Sequence, residues 1–211
     1  FLVGFPRSGT TLLDTILRSH PSIEVLEEKP IIDEVINNLE KKINNDFSKL
    51  ENLDENLFHQ IRKIYFEKRN QHANYDENKI IIDKLPLNIV NIGEITRFFP
   101  KAKFILVLRN PYDSVLSCFM QTFSINHAMS NFLNIDDAAK LYDSVMSLWL
   151  NYSENLFLKS HTIKYENVVK NFDKTINDLI KFLELEWSDD LKNFNKTAKK
   201  RGIINTPSYD Q

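Results

Sequence analysis

The feature that most constrains the fold is an uninterrupted apolar run, Phe-Ile-Leu-Val-Leu, at residues 104–108. A strand that is apolar at every position must be covered on both faces, which is the situation inside a parallel sheet. Helix-start residues follow at once: Asn110 suits the cap, Pro111 the first helical position and Asp113 the first turn. The sequence therefore predicts a buried strand that runs directly into a helix.

Similar strand and helix patterns alternate along the rest of the chain. Further short strands are predicted at residues 1–4, 79–83 and 162–165. Helical spacing of apolar residues predicts helices at 10–19, 30–39, 55–69, 88–99, 136–157, 166–184 and 187–199. Strands that alternate with helices indicate an α/β fold, with one parallel sheet flanked by helices on both faces. The polar stretch 40–54 predicts a loop, and residues 40–78 are expected to be a variable helical insertion.

Bulk properties exclude several classes of protein. The 211 residues suit one domain, so we expect residues 1–211 to form it. A balance of 27 Lys and Arg against 29 Asp and Glu gives no general electrostatic case for binding nucleic acid. No apolar run approaches the roughly 20 residues that span a bilayer. Cys118 is the only cysteine, which excludes an intrachain disulfide and fits a reducing compartment. Because the chain starts at Phe1 without a methionine, we expect both ends to be cut from a longer protein.

The segment Gly4-Phe-Pro-Arg-Ser-Gly-Thr-Thr11, which we call the phosphate loop, lies between the first predicted strand and helix. Its glycines let the backbone approach an anion, and the helix N-terminus supplies positive potential. The spacing is that of a P-loop, but Thr10 replaces the lysine on which P-loop kinases depend. Arg7 supplies a cation instead, and a guanidinium can hold two oxygens of one phosphate or sulfonate. A tight turn would explain the glycines but not this cluster of Arg, Ser and Thr.

A second basic segment follows the strand at residues 104–108. Arg109 leaves the carboxyl end of that strand, and Ser117 lies about two turns into the next helix. Ligands of open α/β sheets bind outside the carboxyl ends of the strands. Arg109 is therefore expected to share a crevice with the phosphate loop if their strands are neighbours. An ordinary pair between Arg109 and Asp113 at the helix start is an alternative that the sequence leaves open.

Together the two segments resemble the signatures of the sulfotransferase family. Its first signature is a strand followed by P-[KR]-S-G-T-T, which binds the 5′-phosphosulfate of the sulfuryl donor; here it is Pro6-Arg7-Ser8-Gly9-Thr10-Thr11. Its second signature, similar to R-[ND]-P-x-D-x-x-x-S, binds the 3′-phosphate of the donor; here it runs from Arg109 to Ser117. The resemblance covers nearly the whole chain. It is closest to tyrosylprotein sulfotransferases and to bacterial sulfotransferase domains that follow tetratricopeptide repeats.

This resemblance implies a co-substrate, 3′-phosphoadenosine 5′-phosphosulfate (PAPS), with no required metal. It further implies an N-terminal repeat domain in the full-length protein, and we expect a cytoplasmic location of the bacterial type. The family's general base matches Glu28, the second acid of Leu-Glu-Glu-Lys-Pro, with Glu27 as the fallback. An acidic pair that merely complements the dipole of a helix opening at Pro30 would explain the same residues. Lys84, after the predicted strand at 79–83, matches the lysine that stabilises charge on the transferring group.

Other residues match the family less specifically. Tyr165 matches a tyrosine near the nucleotide, and Ser208 matches a serine that closes over the donor phosphates. Arg201, between Lys200 and Gly202, resembles a loop that contacts the 3′-phosphate in the branch acting on small molecules. No role is assigned to His127, for which a packing role is favoured over a catalytic one. His20, at a helix end, is interpreted as structural.

The reading that follows is a sulfotransferase that moves a sulfuryl group from PAPS to an acceptor hydroxyl, with Glu28, Lys84 and Arg7 as catalytic residues. Its acceptor is unidentified, and a peptide, a sugar and a lipid all remain open. Two alternatives stand beside it. One is a nucleotide-binding module without transfer activity. The other is a P-loop kinase-like phosphotransferase, against which the missing lysine at Thr10 and the lack of a convincing metal-binding acid both argue.

Overall fold

The computed structural model describes residues 1–50, 52–72, 76–124 and 126–201, except for the side chain of Arg201. In these ranges five parallel strands form one sheet in the order β2-β3-β1-β4-β5. The strands are β1 (Leu2–Gly4), β2 (Ile23–Glu27), β3 (Ile80–Lys84), β4 (Lys103–Leu108) and β5 (Lys159–Lys164). The helices are α1 (Thr10–Arg18), α2 (Ile31–Ile43), α3 (Glu55–His72), α4 (Ile92–Phe98), α5 (Pro111–Phe119), α6 (Ile135–Asn155), α7 (Tyr165–Lys170), α8 (Phe172–Phe182) and α9 (Phe194–Arg201). Short 3-10 helices lie at Phe47–Leu50, Pro86–Asn91, Met129–Leu133 and Asp189–Asn193.

Helices cover both faces of the sheet, as the sequence predicts. Successive side chains of a strand point to opposite faces. Val3 and Leu106 accordingly join a core that includes buried residues of α2, α3, α4 and α6. Leu2 and Ile105 join a second core with α1 and α8. The α/β class with a parallel sheet flanked on both faces is confirmed.

Strand β2 is a strand that the sequence analysis missed. Its five residues alternate only partly between apolar and charged, because Glu24 and Glu27 interrupt the apolar positions. An edge strand tolerates such polar residues, since one of its sides pairs with no other strand. Among the described strands, β2 pairs only with β3, from Ile23 opposite Ile80 to Glu27 opposite Lys84.

Several predicted boundaries are wrong by a turn or more. Residues 40–43 belong to α2 rather than to a loop, because Leu39 and Ile43 are buried and extend its apolar face. The predicted helix at 88–99 consists of the 3-10 helix Pro86–Asn91 followed by α4. The long helix α6 agrees with its prediction to within two residues at each end.

The order of the strands brings the predicted ligand segments to one edge of the sheet. Strand β1 pairs in parallel with β4, with Gly4 opposite Val107, and also with β3. The phosphate loop and Arg109 therefore follow neighbouring strands and leave the sheet on the same side. The sequence analysis expected a shared crevice if these two strands were neighbours, and they are.

Candidate functional site

Two glycines shape the phosphate loop, each for a steric reason. A Cβ atom on Gly4 would lie 2.7 Å from the carbonyl oxygen of Val107, so the loop can approach β4 only without a side chain there. Gly9 has a φ of +99°, a left-handed conformation that glycine adopts without strain. A Cβ at Gly9 would also lie 2.5 Å from Cδ2 of Tyr165. The loop is thus held close against both β4 and the start of α7.

The N-terminus of α1 faces the crevice without a side-chain cap. Gly9 occupies the cap position, and the first turn contains no acidic residue. The first N–H groups of a helix have no partner within the helix, and they give its N-terminus a positive potential. At α5, by contrast, Oδ1 of Asn110 accepts a hydrogen bond from the backbone N–H of Tyr112 at 2.9 Å. Of these two adjacent helix N-termini, that of α1 is therefore the better suited to bind an anion.

Two arginines meet beside the phosphate loop. Nε of Arg7 donates to Oγ of Ser117 at 2.9 Å, and Nη1 of Arg109 donates to the backbone oxygen of Arg7 at 3.4 Å. Burial lowers the pKa of Arg7, and the charge of Arg109 lowers it further. Nε of Arg109 is buried and has no hydrogen-bond partner among the described residues. Both observations favour an anion as the natural occupant of this corner.

The side chain of Arg109 is held from two sides. Its guanidinium carbon lies 5.0 Å from the centre of the Tyr165 ring, a cation–π distance. Nη2 lies 3.6 Å from Oδ2 of Asp113, so the helix-start pair exists beside the contact with Arg7. Oε1 of Glu166 accepts from the backbone N–H of Asn110 at 2.8 Å, which lowers the pKa of Glu166. These contacts tie the turn after β4 to α7.

On the other side of the phosphate loop lies a buried cluster of acids around one lysine. Lys84, at the end of β3, has a fully buried side chain. Its Nζ donates to Oε1 of Glu28 at 2.8 Å and to Oε1 of Glu27 at 3.4 Å. The backbone N–H of Glu28 donates to the oxygen of Lys84 at 2.7 Å, and Glu28 has a positive φ of 49°. The turn after β2 therefore presents the Glu28 carboxylate directly to the lysine.

Asp14 and Arg18 of α1 complete the cluster, and the sequence analysis did not predict them. Oδ2 of Asp14, a fully buried side chain, lies 3.9 Å from Nζ of Lys84. Nη2 of Arg18 lies 3.0 Å from Oδ1 of Asp14 and 4.0 Å from Oε2 of Glu27. In the sequence these two residues are an ordinary pair one helical turn apart. Only the packing of α1 against β2 and β3 turns them into part of a site.

One cavity of about 1300 Å³ connects the two parts of the site. The phosphate loop lines it through Arg7, Thr10 and Thr11 among others, together with Arg109 and Tyr165. Glu28 lines the same cavity and also a smaller pocket of about 380 Å³, whereas Glu27 lines the smaller pocket but not the larger cavity. The two acids that the sequence left as alternatives therefore differ in their access to the larger cavity, which Glu28 lines and Glu27 does not.

The remaining predicted residues fall in different places. Oγ of Ser8 is buried without a hydrogen-bond partner among the described residues, and Ser117 reaches the crevice through Arg7. His127 is exposed and lines the cavity. His20 is structural: its Nδ1 accepts from the N–H of Ser22 at 3.1 Å, and its Nε2 lies 2.9 Å from the backbone oxygen of Glu186.

Two predicted residues lie outside the part of the chain that the structure describes, and other predictions concern metal ions and membrane-spanning helices. Ser208 and the side chain of Arg201 lie outside the described residues. In the described ranges, no group of three or more His, Cys, Asp or Glu side chains is placed to hold a metal ion. Among the same residues, no helix combines the length and the apolar character needed to cross a membrane.

A parallel sheet whose first strand leads through a glycine loop into an uncapped helix defines an α/β domain of the P-loop type. Residues 1–189 match the sequence profile of the sulfotransferase family, and the chain belongs to that family. It is 28% identical to an uncharacterized protein of Aquifex aeolicus over 94% of this chain and 27% of that protein. It is 25% identical to protein-tyrosine sulfotransferase 1 of Danio rerio over 100% of this chain and 60% of that protein. The chain thus spans less than two thirds of the length of either relative.

Solved structures show the same fold. The sulfotransferase domain from the Synechococcus PCC 7002 olefin synthase superposes with a TM-score of 0.65 at 20% identity, covering 100% of this chain and 78% of that chain. The sulfotransferase domain from the curacin biosynthetic pathway gives a TM-score of 0.62 at 22% identity, covering 90% and 75%. Mouse sulfotransferase SULT7A1 complexed with PAP gives 0.52 at 17% identity, covering 98% and 67%.

Proposed function

We propose that the chain is the catalytic domain of a sulfotransferase that moves a sulfuryl group from PAPS to an acceptor hydroxyl. Membership of the sulfotransferase family supports the reaction class. The observation that carries the proposal is one cavity lined by two arginines, an uncapped helix start and an acid paired with a lysine. In the reaction, the acceptor oxygen forms a bond to sulfur and the bridging S–O bond of the donor breaks. The acceptor proton passes to a carboxylate.

The donor is proposed to lie along the phosphate loop. Arg7, Thr10 and Thr11 line the cavity there, and with Ser8 and Gly9 they would hold the 5′-phosphosulfate at the positive end of α1. Arg109 and Ser117 would hold the 3′-phosphate, and the unpartnered Nε of Arg109 supports this assignment. Tyr165 would lie against the nucleotide, and Ser208 is proposed to close over the phosphates. The mouse sulfotransferase whose structure contains PAP shares this fold, which is consistent with the proposal.

Glu28 is the proposed general base. Its carboxylate lines the cavity and is 35% exposed, so an acceptor hydroxyl can reach it. Lys84 holds one carboxylate oxygen at 2.8 Å, which orients the other. When Glu28 takes up the proton it no longer neutralises Lys84. Lys84 keeps Glu27 and Asp14 as partners but loses its nearest one, so more of its positive charge can offset negative charge on the transferring group, together with the guanidinium of Arg7.

The two alternative functions fit the geometry less well. A phosphotransferase of the P-loop kinase type requires the loop lysine that Thr10 replaces. A nucleotide-binding module without transfer activity would need the arginines and the phosphate loop but not an acid–lysine pair that opens onto the same cavity. The following experiment separates this module from an enzyme.

Glu28→Gln should reduce transfer by about 100-fold or more, because a positioned base contributes at least that much. Transfer is measured from PAPS to N-acetyltyrosinamide, and calorimetry with 3′,5′-ADP measures the donor site. The donor site should bind 3′,5′-ADP as in the unmodified chain. Glu27→Gln is the matched control, because Glu27 contacts the same lysine but faces the smaller pocket. Full turnover by Glu28→Gln would show that Glu28 is not the base.

A further inference from the structure

Part of the cavity lining is apolar and is contributed by elements other than the phosphate loop. We call it the acceptor end; it is formed by the 3-10 helix Pro86–Asn91, residues 122–124 and 126–129, and α6. Its apolar side chains are Leu87, Val90, Phe123, Met129, Leu141 and Val145. A lining of this kind binds a ligand with an apolar body and uses a few polar groups to orient it.

The charges of the cavity are divided between its two ends. Among the described residues that line it, the Lys and Arg residues are Arg7 and Arg109, both beside the phosphate loop. The acids that line it are Glu28 and Asp33, which lies in the first turn of α2. In the described residues that form the acceptor end, no lysine or arginine stands opposite these carboxylates. Glu28 is already paired with Lys84 at 2.8 Å, so the like charge that an anionic acceptor would meet there comes mainly from Asp33.

Asn88 is the buried polar group at this end of the cavity. The residue is 1% exposed and lines the cavity. Its backbone N–H donates to the oxygen of Leu85 at 3.0 Å, which fixes the turn. Both Oδ1 and Nδ2 of its side chain lack a hydrogen-bond partner among the described residues. Buried polar groups nearly always have partners, so an amide with neither atom paired indicates a ligand that supplies both a donor and an acceptor.

We propose that the acceptor is an uncharged or cationic hydroxyl compound with an apolar body, and that Asn88 binds an uncharged polar group of it. This inference rests on the proposed sulfotransferase function and specifies its second substrate. The apolar lining takes the body of the acceptor, and Asn88 forms a donor–acceptor pair with it. The carboxylate of Glu28 is left to face the hydroxyl. Asp33 disfavours acceptors with a carboxylate or phosphate near the hydroxyl.

Three phenols that share one ring and a three-carbon side chain test the charge preference. They are 4-(3-aminopropyl)phenol, 3-(4-hydroxyphenyl)propanamide and 3-(4-hydroxyphenyl)propanoate, which are cationic, uncharged and anionic at pH 7. Their affinities for the complex of the protein with 3′,5′-ADP are measured by calorimetry, and kcat/KM is measured with PAPS. The uncharged and cationic phenols should exceed the anionic one by about tenfold or more. Equal or better use of the anionic phenol would overturn the inference, as would a failure of all three to bind that complex.

Two variants test the residues themselves. Asn88→Ala should lower kcat/KM for the propanamide by about tenfold, the size of one lost hydrogen bond, and leave the affinity for 3′,5′-ADP unchanged. Asp33→Asn should narrow the gap between the anionic and uncharged phenols, whereas Asp143→Asn should not, because Asp143 is exposed on α6 away from the cavity. An unchanged gap in Asp33→Asn, or full activity of Asn88→Ala, would contradict the assignment.

The two proposals fail in different ways. If the protein does not bind 3′,5′-ADP, the proposed function itself is wrong. If it binds 3′,5′-ADP and sulfates the anionic phenol best, the function stands and only the acceptor class is wrong.

Discussion

Replacing Lys84 by methionine should lower the free energy of unfolding by about 3 kcal/mol. The side chain is fully buried, and its Nζ contacts Glu28 at 2.8 Å, Glu27 at 3.4 Å and Asp14 at 3.9 Å. Removing one partner of a buried ion pair costs roughly 3–5 kcal/mol, because an uncompensated charge stays behind. The lower end of that range applies, since Glu27 and Glu28 are 22% and 35% exposed and Arg18 still pairs with Asp14.

Urea unfolding at pH 7, followed by circular dichroism, measures the loss. The matched control is Lys63→Met, because Lys63 is 75% exposed and forms only a surface pair with Glu67 at 3.6 Å. That change should cost less than about 0.5 kcal/mol. Lys84→Met and Asp14→Asn together should lower the free energy of unfolding by about 1 kcal/mol less than the sum of the two single changes. The reason is that the two residues share one network. If Lys84→Met cost no more than Lys63→Met, the cluster would not hold the site together.

Two further perturbations test other parts of the structure. Gly9→Ala should lower the free energy of unfolding by about 2 kcal/mol, because the residue has a φ of +99° and the new Cβ would lie 2.5 Å from Cδ2 of Tyr165. The affinity for 3′,5′-ADP should fall as well. Unchanged stability and unchanged affinity would refute the loop geometry. Burial raises the pKa of Cys118 to about 12, so the thiolate is populated only near that pH. Iodoacetamide should therefore leave the folded protein unmodified at pH 8 and react after unfolding, as mass spectrometry will show, whereas rapid labelling of the folded protein would contradict the burial.

Features that depend on neighbouring residues in the chain can be predicted from the sequence. The run at 104–108 could hardly be anything but a central strand, because every residue in it is apolar. The phosphate loop carries its glycines and Arg7 within eight consecutive residues, so the sequence alone predicts an anion-binding loop there. The pairing of β1 with β4 then brought Arg109 to the loop, which the sequence allowed but did not determine.

Features that depend on contacts between distant segments were missed. Strand β2 carries Glu24 and Glu27, and only its place at the sheet edge makes them acceptable. Asp14 is an unremarkable residue of α1 until the packing of β3 places Lys84 against it. The polar residue Asn88 carries no sequence signal either, because its significance lies in being buried without a partner.

The central claim is that this site binds a nucleotide with phosphates at both the 5′ and 3′ positions. Calorimetry with 3′,5′-ADP and with ADP, which carries both phosphates at the 5′ position, tests it most directly. A charge-assisted hydrogen bond contributes about 1.5–3 kcal/mol, so 3′,5′-ADP should bind about 10- to 100-fold more tightly. In Arg109→Ala that advantage should disappear, because Arg109 is the residue proposed to hold the 3′-phosphate. Equal affinity of the unmodified protein for the two nucleotides would contradict the account.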